Sequence, residues 1–365
     1  MNTLFSIWNS IHRNLFPWLE EELDALSEKE KHFVQVMSLI DLGPSLREYA
    51  WRGIGRKRKS RLNILKAFVA KAVYNFETTD IMIEYLNGCK NLRRLCGWES
   101  PNTIPSKATF SRAFAEFSKG QLANKIHETM LKTHYGDKLA GHVSRDSTAI
   151  EAREKPERKP PKPEEKQQKA KRGRPRKGEA VVPKPPKRLD LQLNRSLEEN
   201  VKDLPTACDV GTKVDSKGHK MSWIGYKLHL DCIDGDIPIS AILTSASLHD
   251  SQAAIPLCQM SAARVNSLYE LMDSAYDAPQ IKSCIERHGH IAIIDHNPRR
   301  GEKIEMEPSR KARFCERSTA ERVNSNLKDN HGGRNVRVHG AAKVMTHLMF
   351  GVIVITANQL YRLLL

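Results

Sequence analysis

Residues 223–247, "WIGYKLHLDCIDGDIPISAILTSAS", decide how this chain is read. Tyr226, Leu228, Leu230 and Cys232 fall on one face of an extended segment, and Lys227, His229 and Asp231 on the other. "DGD", Asp234 to Asp236, supplies a tight turn, and "IPISAILTSAS" reads as the antiparallel return strand. Asp250 then stands where it caps a helix over "DSQAAIPLCQMSAARV". A hairpin followed by a helix needs further strands beside it to bury both.

Downstream the pattern supplies them. "SLYELMD" (267–273) reads as a strand, "APQIKSCIERHG" (278–289) as a helix and "HIAIID" (290–295) as a strand. A charged helix and an apolar C-terminal helix complete the chain. Upstream, "KLAGHVSRDSTAI" (138–150) is a plausible first strand ending near Asp146. The order strand, insert, strand, strand, helix, strand, helix, strand, helix predicts an α/β (α+β) mixed sheet covered by helices, the layout of a ribonuclease H-like fold. There the first and fourth of these strands lie side by side, so Asp146 and Asp273 at their ends would meet.

The charged helix lies in "RFCERSTAERVNSNLKDNHGGRN" (313–335). On a helical wheel with Arg317 at zero, Glu321 falls at roughly 40° and Lys328 at roughly 20°, while Ala320, Val323 and Leu327 gather on another side. The bland alternative is a solvated stripe in which Arg317 and Glu321 pair at i,i+4.

Composition narrows the partners. The 365 residues can hold about two domains. Fifty-nine Lys and Arg against 43 Asp and Glu leave a net +16, which favours a polyanion, double-stranded DNA above all. No membrane association is expected. The N-terminus lacks a charged n-region followed by an apolar h-region, and the apolar C-terminal stretch is interrupted by His347, Thr356, Asn358, Gln359 and Arg362. Seven scattered cysteines without a C-x-x-C pair resemble neither a disulfide framework nor a zinc site and suit the reducing cytoplasm.

Three regions follow: a helical N-terminal part, 1–138; a part that carries the strands, 139–152 with 205–365; and between them 153–204, a disordered Lys/Arg/Pro-rich insert. In the first, four helical runs are expected, with Ser106 and Ser118 as N-caps and Gly136 as a stop. "WRGIGRKRKSR" (51–61) holds six Lys or Arg in eleven residues; Arg56, Lys57, Arg58 and Lys59 either solubilise a loop or grip phosphates. Between Lys155 and Arg188, 14 Lys or Arg face four Glu, and eight prolines are present, a composition of disorder. Within it "KRGRPRKG" (171–178) resembles an AT-hook; Arg172 and Arg174 either enter a minor groove or attract DNA without specificity.

Two carboxylates at strand ends and a third from a helix are the donor set for a pair of Mg²⁺ ions roughly 3.5–4 Å apart, with Mn²⁺ a substitute. Glu321 is the candidate third ligand, and Arg317 and Lys328 would steady phosphates.

"FCERSTAERVNSNLK" resembles the signature of DDE-type bacterial insertion-sequence transposases, in the branch whose third acid lies in Tyr-(2)-Arg-(3)-Glu-(6)-Lys. Arg317, Glu321 and Lys328 match in identity and spacing, and Phe314 stands in place of the tyrosine. "SRDSTAIEAREKP" and "LMDSAYDA" resemble the segments around the family's first and second aspartates, which assigns those roles to Asp146 and Asp273. Residues 223–252 resemble its Gly-Tyr-Lys-Leu-His strand and His-Asp turn. "PSKATFSRAF" extends the likeness more weakly into the helical part. The resemblance implies a transposase that binds terminal inverted repeats, hydrolyses a phosphodiester to free a 3′-hydroxyl and transfers that strand into target DNA, acting as a homodimer on DNA. The alternatives are a catalytically inactive DNA-binding relative and a ribonuclease H-like nuclease without strand transfer. Glu151, Asp209, Asp277 and Asp295 are rival acids off the motif positions, and Lys227 and His229 either touch DNA or line the cleft.

Overall fold

The computed structural model describes residues 2–157 and 186–363, apart from positions 42, 52, 54, 56, 137, 215, 216 and 300. Its first part is helical: α1 (Asn2–Ser10), α2 (Phe16–Glu22), α3 (Glu28–Ser38), α4 (Gly43–Leu46), α5 (Arg61–Tyr74), α6 (Thr79–Gly88), α7 (Lys90–Leu95), α8 (Lys107–Lys119) and α9 (Leu122–His134). Local signals set several ends. Ser27 and Glu30 form a reciprocal cap that starts α3 and separates it from α2. Ser106 stands at the N-cap position of α8 without a side-chain cap bond. Ser118 is no cap: it is buried within α8, its Oγ donating to the Phe114 carbonyl, and Gln121, in the left-handed region, begins α9.

The sheet follows, with β1 (Leu139–Glu151), β2 (Asp209–Val214), β3 (Lys220–Ile233), β4 (Ile237–Ser245), β5 (Asn266–Met272) and β6 (Ile291–Ile294). β3 is its spine. One edge pairs antiparallel with β1, and the other pairs with β4 along its second half and β2 along its first. β1 then pairs parallel with β5, and β5 parallel with β6. The turn between β3 and β4 has positive φ at Gly235 and Asp236, as a tight hairpin requires. At Gly225 the backbone of β3 approaches β1 so closely that a Cβ would lie 2.1 Å from the Ile150 carbonyl oxygen, so only glycine fits.

Residues 186–204, which composition assigns to the disordered insert, form α10 (Arg188–Gln192) and α11 (Leu197–Asp203), the second opened by a Ser196–Glu199 capping box. Both pack on α12 (Ser251–Ala262). The remaining helices are α13 (Pro279–Arg287), α14 (Pro308–Phe314), α15 (Ser318–Asn330) and α16 (Ala341–Arg362). α12 covers one face of the sheet and α15 the other. By length and composition α16 could cross a membrane, but 67% of its most apolar window is buried, against α5, α8, α9 and β4. One hydrophobic core therefore runs from the N-terminal helices through the sheet.

All seven cysteines are free. The structure nevertheless brings Cys258, Cys284 and His288 together, with ligand atoms within 4.8 Å of one another, a grouping the sequence spacing does not announce. Both thiols belong to the apolar cluster beneath α12 and α13.

Candidate active site

Asp146 lies in the middle of β1, not at its end: the strand continues to Glu151. Its antiparallel partner is Leu230, which places it on the sheet face that α15 covers. The parallel pairing of β1 with β5 reaches Ser144↔Leu271, and two residues further along that register stand Asp146 and Asp273. Asp273 follows the last residue of β5 and caps the short turn Ser274–Tyr276, its Oδ1 accepting from the Ala275 N–H at 2.9 Å. The two aspartates thus come from neighbouring strands because the strands themselves are hydrogen-bonded.

Glu321 comes from above. Ala320, Val323 and Leu327 are buried against the sheet, the apolar face the wheel gives them, and this turns Glu321 outward near the first turn of α15. The start of that helix is tied to β1, because Ser144 Oγ donates to the Arg317 carbonyl at 2.6 Å. Arg317 Nη2 reaches Glu321 Oε1 at 2.5 Å, so the ion pair of the bland alternative does form. The same guanidinium also acts on Asp146 and Asp273, which a simple surface pair would not do.

Electrostatics bind the group together. Burial pushes the Asp146 carboxyl up to about 6, the Ser147 N–H and Arg317 pull it back, and the negative charges of Asp273 and Glu321 add to the rise. Burial also raises Asp273, against the Ala275 N–H and Arg317, with Asp250 adding to the rise. Such a site is short of positive charge. Asn324, buried one turn beyond Glu321, donates from Nδ2 to Asp146 Oδ2 at 3.1 Å, while its own Oδ1 has no partner among the described residues. An orphaned amide oxygen and crowded carboxylates are hard donors, and they suit a divalent cation of the magnesium type.

The flanking residues divide. Phe314 ends α14 with its ring centre 5.7 Å from the Arg317 guanidinium. Lys328 is half-buried two turns past Glu321, and its ammonium is lowered by burial and by Arg334 and Lys213. Arg58 lies 3.7 Å from Glu116, which Arg61 grips through two nitrogens; Lys57 and Lys59 are exposed. Arg56 falls outside the described residues, as do Arg172 and Arg174 with the rest of the AT-hook-like strip.

Among the rival acids, Asp277 is bound by Lys282 at 2.7 Å and by the Asn297 N–H at 3.0 Å, and Asp295 pairs with Lys303 at 3.2 Å. Asp209 accepts from Ser247 Oγ at 2.6 Å, and Glu151 is the exposed last residue of β1. Asp250 makes no side-chain cap; its Oδ1 accepts from Lys227 Nζ at 2.7 Å. Lys227 therefore points inward, and buried His229 bonds to Thr244. Asn324 escaped the sequence reading, although its place one turn beyond Glu321 on the predicted helix is a signal for it.

Residues 202–357 match the Transposase DDE domain model, and residues 21–116 match the Transposase domain (DUF772) model. Neither the curated proteins nor the solved structures gave a match. The two domains support a DDE transposase of the insertion-sequence kind, and with it a function in DNA transposition. Such an enzyme acts on DNA, is typically soluble and cytoplasmic, and generally uses divalent metal ions. The DDE match contains Asp273 and Glu321 but begins after Asp146, so it does not cover the candidate first acid.

Proposed function

We propose that the chain is a transposase of the branch with the Tyr-(2)-Arg-(3)-Glu-(6)-Lys signature, with a ribonuclease H-like catalytic unit. It binds the terminal inverted repeats of its own element, hydrolyses a phosphodiester to free a 3′-hydroxyl, and joins that hydroxyl to target DNA. The observation that carries this is the meeting of Asp146 and Asp273 on a hydrogen-bonded pair of parallel strands, with Glu321 on the helix packed over them.

Asp146, Asp273 and Glu321 would hold two Mg²⁺ ions, which Mn²⁺ can replace. When bound, these supply a Lewis acid that activates water or a 3′-hydroxyl and stabilises the leaving oxygen. Asn324 orients the Asp146 carboxylate through its Oδ2. Arg317 holds Glu321 in the resting site, and on release its guanidinium is free to take a phosphate oxygen. Lys328 stands on the same helix face for a phosphate further along. The nucleophiles are water and a hydroxyl, so no covalent protein–DNA intermediate forms. Cutting two ends together implies a homodimer on DNA, and the enzyme would work at the nucleoid.

The test is incubation with labelled DNA carrying the sequence that flanks its gene, with Mg²⁺ or Mn²⁺, beside Glu321→Gln. Metal-dependent nicking at a defined boundary, lost by about 10³-fold in the variant, is expected, with joined products alongside. Nicking without joining would reduce the assignment to a nuclease, and binding without cleavage would leave a DNA-binding relative.

A further inference from the structure

A cleft of about 570 Å³ lies where the N-terminal helices meet the segment between α15 and α16. Its walls come from α5, α6 and α8 on one side and from residues 331–350 on the other, with Arg153 at the rim. Both transposase domains thus contribute to it. A larger hollow of about 950 Å³ is lined only by the N-terminal helices and their connections, largely by apolar side chains, and offers little to an anion.

The cleft is basic. Lys107 pairs with Asp80 at 2.5 Å, and Arg337 lies 3.7 Å from Glu77. Those pairs consume both acids that line it. Arg153 and Lys343 are exposed and have no acidic partner among the described residues. Lys71 lies deeper, its ammonium lowered to about 8 by burial and by Arg337. Positive charge in excess, concentrated in a concave seam, attracts a polyanion.

Two stretches of chain lead from the three acids to this cleft. β1 carries Asp146 and runs on past Glu151, with the Ala152 N–H still bonded to the Ile224 carbonyl, to Arg153 at the rim. α15 carries Glu321 and Lys328, and the loop after it enters the cleft wall. That wall is fixed to α5: Asn75 Nδ2 donates to the Asp329 carbonyl at 2.9 Å, and its Oδ1 accepts from the Gly332 N–H at 2.9 Å. The Asp146-to-Arg153 path spans about 23 Å, or about seven nucleotides of a B-form strand.

Resting on the transposase reading above, we propose that this cleft grips the sugar-phosphate backbone of duplex DNA about seven nucleotides from the cleaved bond. Arg153 and Lys343 contact the phosphates, and Lys71 adds charge from below. Because its walls belong to both domains, the contact couples DNA seated on the N-terminal helices to the acids at the sheet.

The full-length double variant Arg153→Ala with Lys343→Ala tests this with a short labelled duplex from the DNA that flanks the gene. Both side chains are exposed, so its melting should match the wild type. Its affinity is expected to fall about tenfold or more at moderate salt, and the slope of log affinity against log salt to shrink by about two. Replacing the phosphates at that distance by neutral methylphosphonates should weaken the wild type and leave the variant unchanged. A variant that keeps wild-type affinity and slope, beside a wild type that binds and nicks, overturns the cleft alone. A wild type that binds no DNA overturns the transposase reading with it.

Discussion

Arg145 and Asp146 are neighbours on β1 that face opposite sides of the sheet, and their surroundings differ in one respect. On the α12 side, Arg145 meets Asp231 through two bonds of 2.7 Å and comes within 3.2 Å of Glu270. Ser261 Oγ donates to Asp231 at 2.6 Å, and His290 lies 2.9 Å from Glu270. Every charge there has an opposite or a donor, and the guanidinium stays well above its ordinary value: burial lowers it, but Asp231 and Glu270 more than offset that. On the α15 side, Asp146, Asp273 and Glu321 share Arg317, with Lys213 adding a smaller pull on Asp273, and burial leaves the Asp146 carboxyl at about 6. One cluster is closed and holds the fold; the other is short of positive charge, as expected of a site completed by something from outside.

Mutations should separate the two by sign. Asp231→Ala takes both 2.7 Å bonds from the fully buried Arg145 and leaves it Glu270 alone, and breaking a buried pair by removing one partner costs about 3–5 kcal/mol. The largest loss of stability is expected here, and denaturant unfolding would measure it. Asp146→Asn should do the reverse, raising the unfolding free energy of the metal-free protein by an amount on the order of 1–2 kcal/mol while abolishing nicking. Equal destabilisation by both substitutions would break the distinction.

The smallest effect is the pH dependence of the same contrast. A carboxyl held above its ordinary 3.8 weakens the fold wherever it is ionised. The Asp146 penalty is therefore complete above about 6 and fades as pH falls toward 3.8. The gain from Asp146→Asn should shrink over that window, and a gain that stays constant across it would assign the effect to packing.

The closed cluster was the harder of the two to read in the sequence. Arginine in a strand reads as surface, and burying it depends on Asp231 and Glu270, far away in the chain, which no local pattern reports. The hairpin, α12, β5, α13 and the apolar face of α15 were legible because their periodicities are local and strong. β2 was not, since "DVGTKV" is a short edge strand, mostly exposed and broken by Gly211. α10 and α11 were hidden by the proline and lysine beside them, although "SLEE" carries a capping box. Glu321 and Asp273 could be located because helix and strand patterns place them. Asp146 could be named but not placed within its strand, because periodicity does not mark where a long strand stops.

The most direct test of the three-acid site is a thermal melt of the wild type and Asp146→Asn with and without Mn²⁺ at neutral pH. The account predicts that the ion raises the melting temperature of the wild type by binding the folded state, and leaves Asp146→Asn nearly unmoved. A wild type that melts at the same temperature with and without the ion, or a variant that gains as much as the wild type, would contradict it.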